Sequence, residues 1–144
     1  MLLAKIQIKT VVDEIEKAGF SINFDKSVLE PASVVTFLGV DVDLEAKTLV
    51  PSEANIKSCI DKAVRFCNGN KKSLKNFQSL VGTLNFAAPF VKYGKLNLAP
   101  LHRFSLYFSN EASRRAPAEL CSLLHFWMAK QSYVPDPIPS MLGQ

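Results

Sequence analysis

The hydrophobic period of this chain switches once, near Pro51, from about two residues to about 3.6, and that switch limits the fold more than any other feature. Before it, the run Ser33 to Asp43 (SVVTFLGVDVD) is rich in β-branched and aromatic residues. A few polar residues separate it from Lys47 to Val50, which predicts a β-hairpin. Further upstream, Ile8, Val11, Val12 and Ile15 fall on one side of a helix over about residues 2 to 18, which Gly19 is placed to end. A strand-like piece, Phe20 to Asn23, and a turn-rich stretch around Asp25-Lys26-Ser27 and Pro31 follow. After Pro51, Ile56, Cys59, Ile60, Ala63, Val64 and Cys67 repeat at helical spacing, with Ser52 as candidate N-cap and Asn68-Gly69-Asn70 as the stop. Further helices are predicted from Ser73 to about Ala88, from roughly Leu96 to Phe108 with Pro100 near its first turns, and from Pro117 to Lys130. The tail, SYVPDPIPSMLGQ, is proline-rich and is expected to be extended or disordered. The fold class is therefore α+β, and a mixed segment giving way to helices alone predicts two packing units that meet near Pro51.

With 144 residues, 48% hydrophobic and 21% charged, the chain has the length and composition of one globular domain. No apolar run approaches a membrane span, and the opening MLLAKIQIKT carries charge where a signal peptide needs its apolar stretch. The expectation is an intracellular protein, cytoplasmic or nuclear, neither secreted nor membrane-bound. Cys59, Cys67 and Cys121 lack the close pairing of zinc ligands and sit in apolar helical contexts, so they read as reduced core residues. His102 and His125 also lie beside apolar neighbours, with no Ser, Cys or Asp at a spacing that suggests nucleophilic catalysis.

Charge is unevenly spread. The net is +4, yet residues 1–56 hold five Lys against nine Asp or Glu, while residues 57–110 hold nine Lys or Arg against the single acid Asp61. Such a local excess attracts polyanions, of which nucleic acid is the commonest inside a cell. A solvated basic helical face is the plainer alternative.

The helix from Ser73 carries the most specific pattern. Placed at about 100° per residue, Leu74, Phe77, Leu80, Val81, Leu84 and Ala88 fill one arc and form the core side. Lys75, Gln78, Gly82, Asn85 and Phe86 cluster opposite. Glycine inside a helix is less favourable than alanine by about 1 kcal/mol, so Gly82 calls for a reason. Either a ligand approaches the backbone there or another helix packs closely. Gln78 and Asn85 suit hydrogen bonds to groove edges or sugars, and Phe86 suits stacking.

The stretch SLKNFQSLVGTLNFAAPFVKYGKLNLAPL, residues 73–101, resembles the thumb helix and following turn of retroviral and retrotransposon reverse transcriptases, in which Q-x-L-V-G-x-L-N-[WF]-A recurs. The resemblance implies that Gln78, Gly82 and Phe86, with Asn85 beside them, track the minor groove of a template–primer duplex; Lys75, Lys92 and Lys95, from the basic stretch, are expected to meet its phosphates. AGFSINFDKS, residues 18–27, resembles the family's motif D, a short strand bracketed by a glycine and a lysine, with Lys26 as the lysine near the incoming nucleotide's phosphates. TFLGVDVD, residues 36–43, resembles motif E, the primer-grip hairpin, formed by Phe37, Leu38 and Gly39 with the last two at its tip. The implied layout is a partial palm over residues 1–50 (helix, strand and β-hairpin), a helical thumb bundle over 51–108, and the start of a connection over 109–144. The wording of residues 79–101 is most similar to long-terminal-repeat or DIRS-like retrotransposons.

Nucleotidyl transfer in that family uses two metal ions held by aspartates upstream of motif D, one in a strand and a pair in a Y-x-D-D turn. This sequence has neither. Asp41 and Asp43 share a strand face, but they lie where the family has no metal ligands. No catalytic residue, metal ligand or cofactor is expected in this chain; Mg2+ is implied only for a full-length polymerase. The chain begins in what would be the palm helix, so an N-terminal palm and fingers portion is expected to be missing, with the first 50 residues poorly supported. The leading expectation is a polymerase fragment that binds RNA–DNA hybrid or duplex. The alternatives are a repurposed non-enzymatic module that binds RNA or a protein, and a helical interaction domain with no nucleic-acid role.

Overall fold

The computed structural model describes residues 1–108 and 112–137, which divide into two compact units, Met1–Ser33 and Val34 onward. The first unit is built on helix α1, Leu2–Lys17. Its end is a Schellman motif: the Gly19 N–H donates to the Glu16 carbonyl, the Phe20 N–H donates to the Ile15 carbonyl, and Gly19 takes φ +87°. The strand expected over Phe20 to Asn23 is not formed. An extended segment needs a neighbour for its backbone groups, and here Asn23 instead caps a 3₁₀ turn over Phe24–Lys26, accepting from the Lys26 N–H at 3.2 Å. No side chain of Met1–Ser33 is buried. Ile8, Val11, Val12, Ile15, Ile22 and Val28 line an open apolar groove of about 670 Å³ within this unit.

In the second unit, an antiparallel sheet in the order β1-β2-β3-β4 comprises Val34–Phe37, Val40–Asp43, Thr48–Pro51 and Asp136–Pro137. The run Ser33 to Asp43, expected to form one arm of a hairpin, is itself a hairpin. Phe37 pairs with Val40, so Leu38 and Gly39 alone make the turn, at φ +50° and +80°. Two consecutive left-handed residues form the type I′ geometry that matches strand twist. β4 pairs with β3 through Leu49 and Asp136, so the proline-rich tail contributes a short strand; its residues 138–144 lie outside the described ones. Asp41 accepts a hydrogen bond from Thr36 Oγ1 across the strands at 2.6 Å, and Asp43 accepts from the N–H groups of Glu45 and Ala46 in the next turn. Both carboxylates are engaged in holding the sheet.

Helices α2 (Glu53–Phe66), α3 (Leu74–Ala87), α4 (Gly94–Leu98) and α5 (Ala118–Met128) pack with the sheet into one unit. The division expected near Pro51 thus falls at residues 33 and 34, and Pro51 is a fully buried strand residue. α2 packs against both α3 and α5, so the segment after residue 109 contributes to the same core. Ser52 stands at the N-cap of α2 without a side-chain capping bond. Val64 is 51% exposed and Phe66 is buried in its place, in an aromatic group with Phe77 and Phe108 whose ring centroids are 5.1 to 6.0 Å apart. The helix expected from Leu96 starts at Gly94 and turns 3₁₀ from Ala99 to Leu106. Pro100 has no N–H for the Leu96 carbonyl and its ring crowds that carbonyl, which favours the tighter winding. Trp127, fully buried, donates its indole N–H to the Asn97 carbonyl at 3.4 Å, and its own carbonyl accepts from the Tyr133 hydroxyl at 2.6 Å.

The cysteines belong to this packing. Burial pushes the Cys59 thiol above its ordinary range, and burial together with the neighbouring Cys121 thiol pushes Cys67 up to about 12. Burial also raises the Tyr133 phenol, with Cys59 beside it adding to the effect. All three groups are neutral at physiological pH and act as packing groups.

Candidate nucleic-acid interface

α3 is started by a capping box: Ser73 Oγ accepts from the Asn76 N–H at 3.2 Å, and Asn76 Oδ1 accepts from the Ser73 N–H at 2.9 Å. From that start, the apolar periodicity sets the helix's roll. Phe77, Leu80, Leu84 and Ala87 are buried, with Leu74 and Val81 half-buried against the same core. The opposite face is left outward: Lys75, Gln78, Gly82 and Asn85 are exposed and Phe86 is 41% exposed. A Cβ built on Gly82 meets nothing within 4 Å. Of the two reasons for a glycine here, close packing by another helix is therefore not present among the described residues, and the open approach is. Backbone, two amides and an aromatic ring form a track that is open above Gly82 among the described residues.

The β1–β2 turn stands beside the end of this track. A Cβ on Gly39 would lie 3.6 Å from Phe86 Cζ, and the Phe86 ring is 6.1 Å from that of Phe90. Phe37 and Leu38 on the turn are 65% and 79% exposed. The turn is held from below, because the Gly39 carbonyl accepts from the Ser52 N–H at 2.9 Å and from Asn55 Nδ2 at 2.7 Å. Asn55 is a residue that sequence reasoning missed; its only trace is a polar residue in the first turn of α2. A side chain on Gly39 would press on that amide and would have to adopt φ +80°. Gly39→Ala is expected to lower stability by about 2 kcal/mol, from left-handed strain and the lost Asn55 bond. Urea denaturation checks this, and a change within a few tenths of a kcal/mol would mean that the turn is not pinned.

Lys75, Lys92 and Lys95 are all exposed. Lys75 shares the outward face of α3, whereas Lys92 and Lys95 flank Tyr93, which has φ +64° and receives the Lys92 ammonium over its ring at 5.3 Å. Lys26 belongs to the first unit, in the 3₁₀ turn, with its backbone N–H bonded to Asn23. Among the described residues, no group of three His, Cys, Asp or Glu side chains converges to hold a metal ion, and no helix is long and apolar enough to cross a membrane.

No family model matches the chain, and no solved structure matches it. Among curated proteins the chain is similar to Protein P of heron hepatitis B virus, at 29% identity over 101 residues, covering 67% of this chain and 13% of that protein. The chain thus spans a small part of the length of the relative it matches.

Proposed function

We propose that this chain is a reverse-transcriptase-derived segment that holds a template–primer duplex against the outward face of α3 and the β1–β2 turn, and that these 144 residues do not themselves polymerise. The observation that carries the reading is the exposed row Gln78, Gly82, Asn85 and Phe86 with open space above Gly82. The amides supply donors and acceptors that tolerate any base sequence. Gly82 lets a sugar edge approach the backbone, and Phe86 and the turn residues Phe37, Leu38 and Gly39 offer apolar contact to the primer end. Lys75, Lys92 and Lys95 add charge for the phosphates, and Lys26 is the motif D lysine. The likeness to Protein P, a viral polymerase and reverse transcriptase, supports the same class. The wording of residues 79–101 favours a long-terminal-repeat or DIRS-like retrotransposon as the source, and no cofactor is required for duplex binding.

Binding of a labelled RNA–DNA hybrid, followed by fluorescence anisotropy, tests this. Affinity is expected to fall steeply with salt, log Kobs against log[salt] losing about 0.9 in slope per phosphate neutralised. The triple substitution Gln78→Glu, Gly82→Glu and Phe86→Glu is expected to weaken binding by roughly a hundredfold, since stacking alone contributes about 1–3 kcal/mol. Unchanged affinity in a variant with an unchanged circular dichroism spectrum overturns the proposal. A second reading, protein docking, is favoured by the apolar groove of the first unit; it predicts that Val11→Asp abolishes partner capture while hybrid binding persists.

A further inference from the structure

Between α2 and α3 lies an open cleft of about 260 Å³ whose charged lining is entirely basic: Lys62, Arg65 and Lys72, with Asn76 and Ser79 as neutral polar neighbours. Asp61, the one acid of the basic stretch, is not part of the lining. Four salt bridges are formed among the described residues, and none of them involves these three cations. Lys62 is held in place by neutral acceptors on α3, donating to Thr83 Oγ1 at 2.6 Å and Ser79 Oγ at 3.3 Å. Lys72 donates to Asn68 Oδ1 at 3.0 Å, and its backbone pairs with Arg114. Three like charges gathered around one cleft repel one another, and that repulsion is relieved when an anion enters. The first turn of α3 opens beside Lys72, so the positive end of a fourteen-residue helix faces the same region.

We propose that the α2–α3 cleft seats backbone phosphates of a bound polynucleotide strand through Lys62, Arg65 and Lys72. The inference rests on the duplex-binding reading above and adds a second contact line to it. On α3, Asn76, Ser79 and Thr83 form a polar flank roughly 100° round the helix from the Gln78–Gly82 row. A strand leaving that row on this side meets the cleft next. The lining favours a polymer over a single free phosphate. Arg65 is exposed and Lys62 and Lys72 are half-buried, with Lys62 and Arg65 on α2 and Lys72 in the segment before α3. They line an open cleft rather than closing around one oxyanion, and a row of separated charges is satisfied by a row of separated phosphates.

The test is the salt dependence of hybrid binding by the full chain and by Arg65→Gln and Lys72→Gln, with thermal melts to check folding. Lys62 is left intact because its bonds to Ser79 and Thr83 tie α2 to α3. Each neutralisation is expected to weaken binding equally across hybrid sequences and to reduce the magnitude of the log–log salt slope by about 0.9. Lys9→Gln, on α1, is expected to keep the wild-type slope. Wild-type slopes in both cleft variants, while the α3 triple substitution still weakens binding by roughly a hundredfold, overturn the cleft assignment and leave the duplex reading standing. An equal drop for Lys9→Gln marks a general charge effect and also overturns the assignment. If the wild-type chain binds no polynucleotide at low salt, both fall. Inorganic phosphate, titrated at constant ionic strength and followed by nuclear magnetic resonance, separates the two phosphate sources. Saturable shifts at Arg65 and Lys72 without any slope change in the variants would reassign the cleft to free phosphate and overturn the proposal.

Discussion

Trp127→Ala is expected to bring the helical unit close to unfolding. The indole is fully buried on α5, packs edge-on to Phe126 and Tyr133 with centroids 5.2 and 6.2 Å away, and bonds through its N–H to the Asn97 carbonyl. Truncating a buried tryptophan lowers stability by about 3–5 kcal/mol through lost transfer energy and the cavity left behind. Domains have only about 5–15 kcal/mol in total, so the loss is a large fraction. The Asn97 carbonyl would lose its indole donor and the Tyr133 ring its packing partner, while the Tyr133 hydroxyl keeps its bond to the carbonyl of residue 127, so the link from α4 to α5 would loosen first. Denaturant melts followed by far-ultraviolet circular dichroism check this, with Leu106→Ser, at a 93% exposed position, as the control expected to stay within about 0.5 kcal/mol. A loss below about 1 kcal/mol for Trp127→Ala would contradict the burial described here.

Gly82 separates stability from binding in a single residue. A Cβ there meets nothing, so Gly82→Ala is expected to raise stability by about 1 kcal/mol by removing the helix penalty of glycine. Gly82→Leu is expected to raise it by nearly as much, because leucine is almost as good a helix former. Hybrid affinity is expected to move the other way, falling several-fold for alanine and by about tenfold or more for leucine, equivalent to about 1.4 kcal/mol. Thermal melts and anisotropy on the same samples give both readings. Variants that are more stable and bind as well as wild type would mean that nothing docks against this backbone.

Much of the second unit was legible in the one-dimensional pattern. The α2 and α3 spans and the inward residues Phe77, Leu80 and Leu84 all follow from helical spacing, because a helix's roll is set by its own apolar arc. The outward position of Gln78, Gly82, Asn85 and Phe86 follows from the same arc as its complement. The resemblance placed Leu38 and Gly39 at a hairpin tip, where the structure has a two-residue turn, although alternation alone had read Ser33 to Asp43 as one strand. Alternation does not reveal a two-residue turn that keeps the pleat on either side. The expected strand at Phe20 failed because strand propensity becomes structure only with a partner to receive the backbone.

The amino-acid order by itself determined where α2 and α3 run, which side of α3 is apolar, and that charge gathers between residues 57 and 110. Those are local properties, governed by spacing within one turn or one pleat. Only the tertiary structure decided that Asn55 reaches back to hold the Gly39 carbonyl, that Phe66 rather than Val64 enters the core, and that Lys62, Arg65 and Lys72 face one cleft. Each of these depends on how two elements dock, and docking is set by the whole core's side-chain volumes packing at once, which no single segment's periodicity encodes.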